Sequence, residues 1–175
     1  MQAAPEPLVG EPVFDPGEQQ YANKDELYRS LRAQAEALLQ GERDPVANAA
    51  NLAALIFHSV PGLNWAGFYF LRGDELVVGP FQGKPACVRI AIGRGVCGTA
   101  AGRRETVRVD DVDHFEGHIP CDADSRSEVV VPLIDATGGL LGVLDLDSPE
   151  PARFDAADVA GFEQLAAVYV ASLSA

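Results

Sequence analysis

The sequence predicts an α+β fold in which a central six-stranded antiparallel sheet carries helices packed mainly on one face. Three observations lead to this class. Two stretches with helical periodicity come first, a run of short β-rich segments follows, and a third helical stretch closes the chain. Glycine-containing turns lie between neighbouring β-rich segments and predict hairpins, which join antiparallel strands. Helices grouped before and after antiparallel strands are typical of α+β architectures.

Each of the three long helices has a start signal. We expect the first to begin after Asn23, the second after Asp44 and the last after Asp155, because these side chains accept hydrogen bonds from the free N–H groups of a first turn. Glu26 stands three residues after Asn23, the spacing of a capping box. Pro45 takes the first helical position, where its missing N–H costs nothing.

Six segments rich in β-branched and aromatic residues predict the strands: residues 64–72, 75–81, 87–92, 105–109, 127–134 and 140–146. Residues 72–74 and 135–139 are the turns that predict the hairpins. The glycine-punctuated segment RGVCGTAAG, residues 94–102, predicts a short helix entered through a tight turn.

Composition sets limits on the partners of the protein. The chain has 175 residues, 47% of them hydrophobic, and a formal net charge of −13. This length predicts one domain, residues 21–175, after a flexible N-terminal extension over residues 1–20, which is rich in Pro, Glu and Gln. A surface this acidic repels phosphate backbones and anionic lipids, so neither nucleic acid nor a membrane is an expected partner.

The N-terminal segment and the cysteines indicate the compartment. Residues 1–20 have no basic start and no continuous apolar run, so we expect neither a secretory signal nor a membrane span. We therefore expect a cytoplasmic location. Three cysteines, an odd number, argue against a framework of structural disulfides.

Three interpretations of the cysteines compete: metal ligands, inert core residues or reactive thiols. His118 precedes Cys121 by three residues, but no two cysteines form the close pair that a zinc site with three cysteines and a histidine normally contains. Burial is credible for any one of them. However, Cys97 lies in a glycine-rich turn and Cys121 in a polar loop, and loops carry function more often than cores.

Carboxylates and aromatic residues accompany the thiols. Asp145 and Asp147 are two residues apart on one predicted strand and therefore share a face, and Glu128 begins the strand expected to pair with it. The simpler interpretation of Asp147 is a turn residue that ends the strand. Trp65 and Tyr69, four residues apart, also share a face, although such a pair is more often part of a core.

A thiol facing these acids could attack an electrophilic sulfur while a carboxylic acid protonates the departing oxygen. The cysteine would become a sulfenic acid, which condenses readily with a neighbouring thiol. Three cysteines then act as one attacking thiol with resolving partners. The residues by themselves predict a thiol redox enzyme and nothing more specific.

Over residues 22–170 the chain resembles the free methionine-(R)-sulfoxide reductases, a family built on the GAF domain. The resemblance lies in NWAGFYF, GPFQGKPACVRIAIGRGVCGTAA, ETVRVDDVDHFEGHIPCDADSRSEVVVPL and GVLDLDSP. All three family cysteine positions are present in context, whereas GAF domains in general share the fold without this cysteine set. The resemblance implies a GAF-like fold, and it implies that Cys121 attacks, that Cys87 is the main resolving cysteine and that Cys97 is the second.

The resemblance implies further roles. Glu128, Asp145 and Asp147 contact the substrate, with Glu128 and Asp145 tied to protonation of the sulfoxide, and Trp65 and Tyr69 lie near the substrate methyl group. It implies reduction of free L-methionine-(R)-sulfoxide through an intramolecular disulfide recycled by thioredoxin. The resemblance implies no metal and no cofactor, and it implies a homodimer. The chain departs from the family pattern at two places, the extension over residues 1–20 and the charged loop 124–126. We hypothesise that Arg126, which is close to Cys121 in sequence, favours the thiolate form of Cys121.

Three other functions remain to be weighed. The strongest is a GAF sensor that binds a small ligand without catalysis, because a fold never implies a function by itself. A sensor has no need of three cysteines in these loops. A structural dimer module would leave the three acids unexplained. Reduction of protein-bound methionine sulfoxide is disfavoured, because an enclosed pocket with acids for a free ammonium group would exclude a peptide, and the family resemblance agrees.

Overall fold

The computed structural model describes residues 21–117 and 123–174. The predicted extension and Cys121 lie outside the described residues. The elements along the chain are α1 (Lys24–Leu38), α2 (Pro45–Ser59), β1 (Trp65–Arg72), β2 (Glu75–Gly83), β3 (Arg89–Ala91), α3 (Gly95–Arg103), β4 (Val107–Val109), a 3-10 helix (Val112–His114), β5 (Ser127–Ile134), β6 (Leu140–Ser148) and α4 (Ala156–Ser172).

The six strands form one antiparallel sheet in the order β3-β2-β1-β6-β5-β4. This confirms the predicted fold class, and both hairpins are present. In the first hairpin Arg72 pairs with Glu75, so Gly73 and Asp74 form a two-residue turn. Gly73 has φ +67°, a conformation that costs glycine little because it has no Cβ.

The two faces of the sheet have different coverings. Successive side chains of a strand point to opposite faces, so Ala66, Phe68 and Phe70 of β1 lie on the face that α1, α2 and α4 cover. Tyr69 and its partner Val143 lie on the other face, against the short helix α3. The main core therefore lies under the three long helices, and the α3 side is left with room for a site.

The predicted helix starts are confirmed in detail. The side chain of Asn23 accepts from the N–H of Glu26, Asp44 accepts from two N–H groups of the first turn of α2, and Asp155 forms a capping box with Asp158. The capping box predicted for α1 differs, because the Glu26 carboxylate accepts from the N–H of Ala22 at 2.9 Å and not from that of Asn23. Over residues 21–117 and 123–174, no helix combines the length and the apolarity needed to cross a membrane.

Some bounds differ from the predicted ones. β2 extends to Gly83 because that residue pairs with Trp65, and β6 extends to Ser148 because that residue pairs with Ser127. β3 is reduced to Arg89–Ala91, where it pairs with the start of β2. The 3-10 helix follows from a local bond, in which the Asp111 side chain accepts from the N–H of Asp113 at 3.1 Å.

A fully buried carboxylate ties the first and last helices together. Asp158, in the first turn of α4, accepts from the hydroxyl of Tyr28 at 2.8 Å and from Nζ of Lys24 at 2.5 Å, both on α1. Nη1 of Arg153 donates to the same carboxylate at 3.1 Å, and its Nη2 donates to the carbonyl oxygen of Pro61 after α2. This network therefore joins α1, the start of α4 and the segment after α2 to one another.

We expect Asp158→Asn to lower the free energy of unfolding by about 2 to 4 kcal/mol, because it leaves Lys24 and Arg153 without their shared counter-charge in a mostly buried place. Urea unfolding followed by circular dichroism measures the change. The control is Glu36→Gln, which removes an exposed ion pair with Arg32 and should change the stability by less than about 0.5 kcal/mol. Equal stability changes in the two variants would contradict the assigned role of Asp158.

Candidate active site

A cavity opens on the α3 side of the sheet, with about 510 Å³ of empty space including the part open to solvent. Six predicted site residues line it: Trp65, Tyr69, Cys97, Glu128, Asp145 and Asp147. The structure thus brings the three acids and the aromatic pair to one cavity, and their roles in binding and catalysis stay predictions. The structure also brings Cys97 to the same cavity, from a helix that is distant in sequence from both acidic strands.

Strand pairing places the three acids. Glu128 on β5 pairs with Asp147 on β6, and Asp147 pairs with Trp65 on β1. Directly paired residues of antiparallel strands project from the same face of the sheet. Asp145 lies two residues before Asp147 and projects from the same face, opposite Gly67. The end of the sheet thus presents acids from two strands beside aromatic residues from a third.

The aromatic side of the cavity is a rigid stack. The rings of Trp65 and Tyr69 stack at 5.8 Å between centroids, and Trp65 stacks on Phe81 at 5.2 Å. Nε1 of Trp65 donates to the carbonyl oxygen of Lys84 at 3.1 Å. Gly67 makes this stack feasible, because a Cβ there would lie 2.3 Å from Cβ of Phe81 and 2.7 Å from the indole ring of Trp65.

The N-terminus of α3 forms another side of the cavity. Arg94, Gly95 and Val96 line it together with Cys97, and the N-cap residue Arg94 makes no side-chain capping bond. Gly98 lets α3 pack closely on the end of β3, since a Cβ there would lie 2.3 Å from the carbonyl oxygen of Ala91. Free N–H groups and the helix dipole make such an N-terminus favourable for a negatively charged group.

Cys97, Glu128 and Asp145 form a buried cluster. Sγ of Cys97 lies 3.9 Å from Oε1 of Glu128, and both acids are only 6% exposed. Burial and then the charge of Asp145 raise the pKa of Glu128 well above its usual value, and burial raises the pKa of Asp145 to about 7. Burial and the two acids also raise the pKa of the Cys97 thiol. At neutral pH the cluster therefore retains at least one carboxyl proton, held next to the cavity.

Of the other two cysteines, Cys87 lies within the described residues and Cys121 does not. Cys87 is half-buried and packs against the apolar cluster that contains Cys97, directly after Pro85 and Ala86 of the cavity lining. Within residues 21–117 and 123–174, neither Cys87 nor Cys97 forms a disulfide. Cys121 lies outside the described residues, so its predicted role stays a prediction.

Two lining residues, Arg94 and Ser125, carry no periodic sequence signal of the kind that indicates the acids. Ser125 is buried, and its hydroxyl accepts from Nδ2 of Asn64 at 3.0 Å. The sequence points to these two residues only by their positions: Ser125 lies in the polar loop after Cys121, and Arg94 lies before the first turn of α3.

The charged loop 124–126 makes ion pairs on both sides. Nε of Arg126 lies 3.7 Å from Oδ2 of Asp113, and its Nη2 lies 4.0 Å from Oδ2 of Asp111. The hypothesis that Arg126 favours a thiolate at Cys121 stays untested, and the contacts that the structure provides direct its charge toward these aspartates. Asp124 pairs with Lys84, which links this loop to the segment that carries Cys87.

The raised pKa of Asp145 makes a signed prediction about stability. An unfolded aspartate titrates near pH 4, whereas folded Asp145 titrates at about 7. The folded protein binds the extra proton between these values, so the stability contributed by this group is fully present below about pH 4 and is lost as the pH rises through about 7. Asp145→Asn should remove this loss and stabilise the protein at pH 8, by on the order of 2 to 4 kcal/mol.

Urea unfolding of the wild type and Asp145→Asn at pH 5 and pH 8 tests this prediction. Asp135→Asn is the control, because hydrogen bonds from Thr137 and Gly139 lower the pKa of the Asp135 carboxyl. It should leave the loss between pH 5 and pH 8 unchanged. A wild type and an Asp145→Asn variant with identical pH dependence would contradict the assignment.

Comparisons with known proteins identify the family of this chain. The GAF domain family matches residues 23–173. The free methionine-R-sulfoxide reductase of Escherichia coli (strain K12) is 50% identical over 145 residues, which cover 83% of this chain and 87% of that protein. The enzyme of that name from Saccharomyces cerevisiae is 44% identical over 151 residues, 82% of this chain and 84% of that protein.

A solved structure matches over a similar extent. The free methionine-R-sulfoxide reductase of Neisseria meningitidis, in complex with its substrate, superposes with a TM-score of 0.84 at 44% identity, covering 88% of this chain and 92% of that chain. The identities, coverages and shared fold lead to one conclusion. This chain belongs to the GAF domain family and, within it, to the free methionine-R-sulfoxide reductases.

Proposed function

We propose that this protein reduces the R-sulfoxide of free L-methionine to L-methionine. The observation that carries the proposal is the buried cluster of Cys97, Glu128 and Asp145 at the side of a small cavity walled by stacked aromatic rings. Reduction of a sulfoxide needs a proton for its oxygen, and this cluster keeps one available at neutral pH. The relatives named for this activity match across most of the chain.

The cavity offers a complementary group for each part of a free amino acid. Asp145 and Asp147 attract an ammonium group, and Arg94 with the N-terminus of α3 suits a carboxylate. The aromatic face of Trp65 and Tyr69 suits the methyl group. A peptide-bound methionine has no free ammonium or carboxylate at these positions, which is why the proposal is restricted to the free amino acid.

The chemical step that we propose uses a thiol outside the described residues. Cys121 attacks the sulfoxide sulfur, Glu128 protonates the sulfoxide oxygen, and methionine leaves as that oxygen is transferred to Cys121 as a sulfenic acid. The sulfoxide sulfur gains the two electrons that the Cys121 sulfur loses. Cys87 then attacks the sulfenic sulfur, forming a disulfide and releasing water. Reduced thioredoxin supplies two electrons and two protons that restore both thiols.

Cys97 suits the second resolving position better than that of the attacking thiol. The thiolate is the nucleophile, and burial together with Asp145 and Glu128 raises the pKa of Cys97. A thiol so held contributes little thiolate at neutral pH. Its place next to Glu128 makes it a neighbour of the proton donor, and Cys87 is the more accessible of the two described thiols.

We also propose that the protein forms a homodimer. This part of the proposal rests only on the resemblance to the family.

The first experiment measures NADPH consumption with thioredoxin and thioredoxin reductase. Free L-methionine-R-sulfoxide, the S epimer and a blocked peptide form are supplied separately. We expect turnover with the free R form alone. The blocked peptide lacks the free ammonium and carboxylate groups, and the S epimer, held by those same groups, has the sulfoxide oxygen and the methyl group in exchanged positions. Turnover with none of the three by folded, reduced protein would contradict the proposal and favour a ligand-sensing GAF module.

Cysteine variants separate the two halves of the cycle. We expect Cys121→Ser to abolish methionine formation, because the attacking sulfur is lost. Cys87→Ser should form about one methionine per protein in a single round and then stop with thioredoxin as the reductant. Quenched samples analysed for methionine measure both results, and circular dichroism checks folding. Normal turnover by Cys121→Ser would overturn the assignment of the attacking thiol.

A further inference from the structure

We propose that Cys97, Glu128 and Asp145 also form a binding site for a thiophilic divalent cation, with Zn²⁺ as the best candidate, and that the bound cation excludes the substrate. The cation would act as an inhibitor of the cavity and not as a cofactor of the reaction. Cation binding stands on the geometry alone, whereas inhibition rests on the proposed function.

The donor atoms are close enough for one ion. Sγ of Cys97 and one oxygen each of Glu128 and Asp145 all lie within 4.8 Å of one another, and the sulfur lies 3.9 Å from Oε1 of Glu128. Tetrahedral zinc holds sulfur at about 2.3 Å and carboxylate oxygen at about 2.0 to 2.2 Å, which separates neighbouring donors by about 3.5 Å. Side-chain movements of about 1 Å therefore suffice to close the site.

An unpartnered oxygen gives an independent indication of a ligand. Oδ1 of Asp145 is buried and has no hydrogen-bond partner among residues 21–117 and 123–174, although the carboxyl group as a whole interacts with Cys97 and Glu128 of the same cluster. The residue is 6% exposed and lines the cavity. A buried acceptor without a donor is costly, and a cation in the cavity would satisfy it.

Charge favours a cation at the same place. Glu128, Asp145 and Asp147 line the cavity, whereas Arg94 is the only basic residue in the described part of the lining. Without a bound cation, protons on the carboxyl groups reduce the repulsion between the acids of the cluster. A divalent ion can replace these protons and bind Cys97 as a thiolate, the form in which cysteine ligates metals.

Ligand number and position imply competition with the substrate. Three protein ligands leave the fourth zinc position open, as in sites that exchange water for other ligands. All three ligand residues line the cavity, so the ion would occupy the place where Asp145 would otherwise attract the substrate ammonium group. This donor set differs from the three cysteines and His118, whose spacing argues against a zinc knuckle.

The first test measures zinc affinity in the fully reduced protein by competition with a chromophoric chelator. Wild type is compared with Cys97→Ser, Glu128→Gln and a double variant, Cys87→Ser with Cys121→Ser, that keeps Cys97 as its sole thiol. We expect 1:1 binding in the wild type and the double variant, and binding weaker by about 10-fold to 100-fold or more in the two single variants. Co²⁺ should give a thiolate-to-cobalt absorption band in the double variant.

Three results would overturn the cation site. Wild type and Cys97→Ser could bind zinc with the same affinity, which would place the ion on other ligands. The double variant could lose binding, which would assign the ion to Cys87 or Cys121. The wild type could fail to bind zinc at all. Circular dichroism on each variant excludes unfolding as the cause of a loss.

The inhibition is tested in single turnover with pre-reduced protein and no thioredoxin, since thioredoxin thiols also bind zinc. Zinc should raise the concentration of free L-methionine-R-sulfoxide needed for half-maximal rate without lowering the rate at saturation. A lowered saturating rate with unchanged half-saturation would contradict competition. If the protein binds zinc but has no reductase activity, the proposed function is overturned and the cation site stands. If the protein is active but does not bind zinc, the cation site is overturned and the proposed function stands.

Discussion

The burial of two carboxyl groups and a thiol beside one another is the constraint on which the site depends. Water normally stabilises such groups, and burial of Glu128 and Asp145 removes it without a lysine or a histidine in the described lining as compensation. The cluster responds by holding a proton, which raises the pKa of both acids. Burial of these acids lowers the stability of the protein, but it also provides a proton donor and a cavity that attracts a cation. The sulfoxide of a free amino acid needs the proton for its oxygen and the attraction for its ammonium group.

The remainder of the fold enforces this arrangement. Pairing of β5, β6 and β1 fixes the acids and the aromatic stack on one face, while the opposite face packs under the long helices. Asp158 locks α1 to α4 by way of Tyr28 and Lys24, far from the cavity. The protein can tolerate a repulsive cluster because a separate, well-packed layer supplies stability elsewhere.

Much of the site follows from strand periodicity. A period of two puts Asp145 and Asp147 on one face, and the predicted hairpin brings Glu128 beside them. Cys97 could not be placed in this way, because its approach depends on the packing of α3 against β3 through Gly98. The Asp158 network joins helices about 130 residues apart, which no local pattern reports. The roles of the cysteines came from resemblance to the family, and that of Cys121 stays a prediction.

The claim that the cluster holds a proton at neutral pH is tested most directly by infrared spectroscopy of the reduced, substrate-free protein. The account predicts a carbonyl stretching band of a buried protonated carboxyl at pH 7, changed in Glu128→Gln and in Asp145→Asn, lost in the double variant, and retained in the control Asp135→Asn. Absence of this band in the wild type, or its persistence in the double variant Glu128→Gln with Asp145→Asn, would contradict the account.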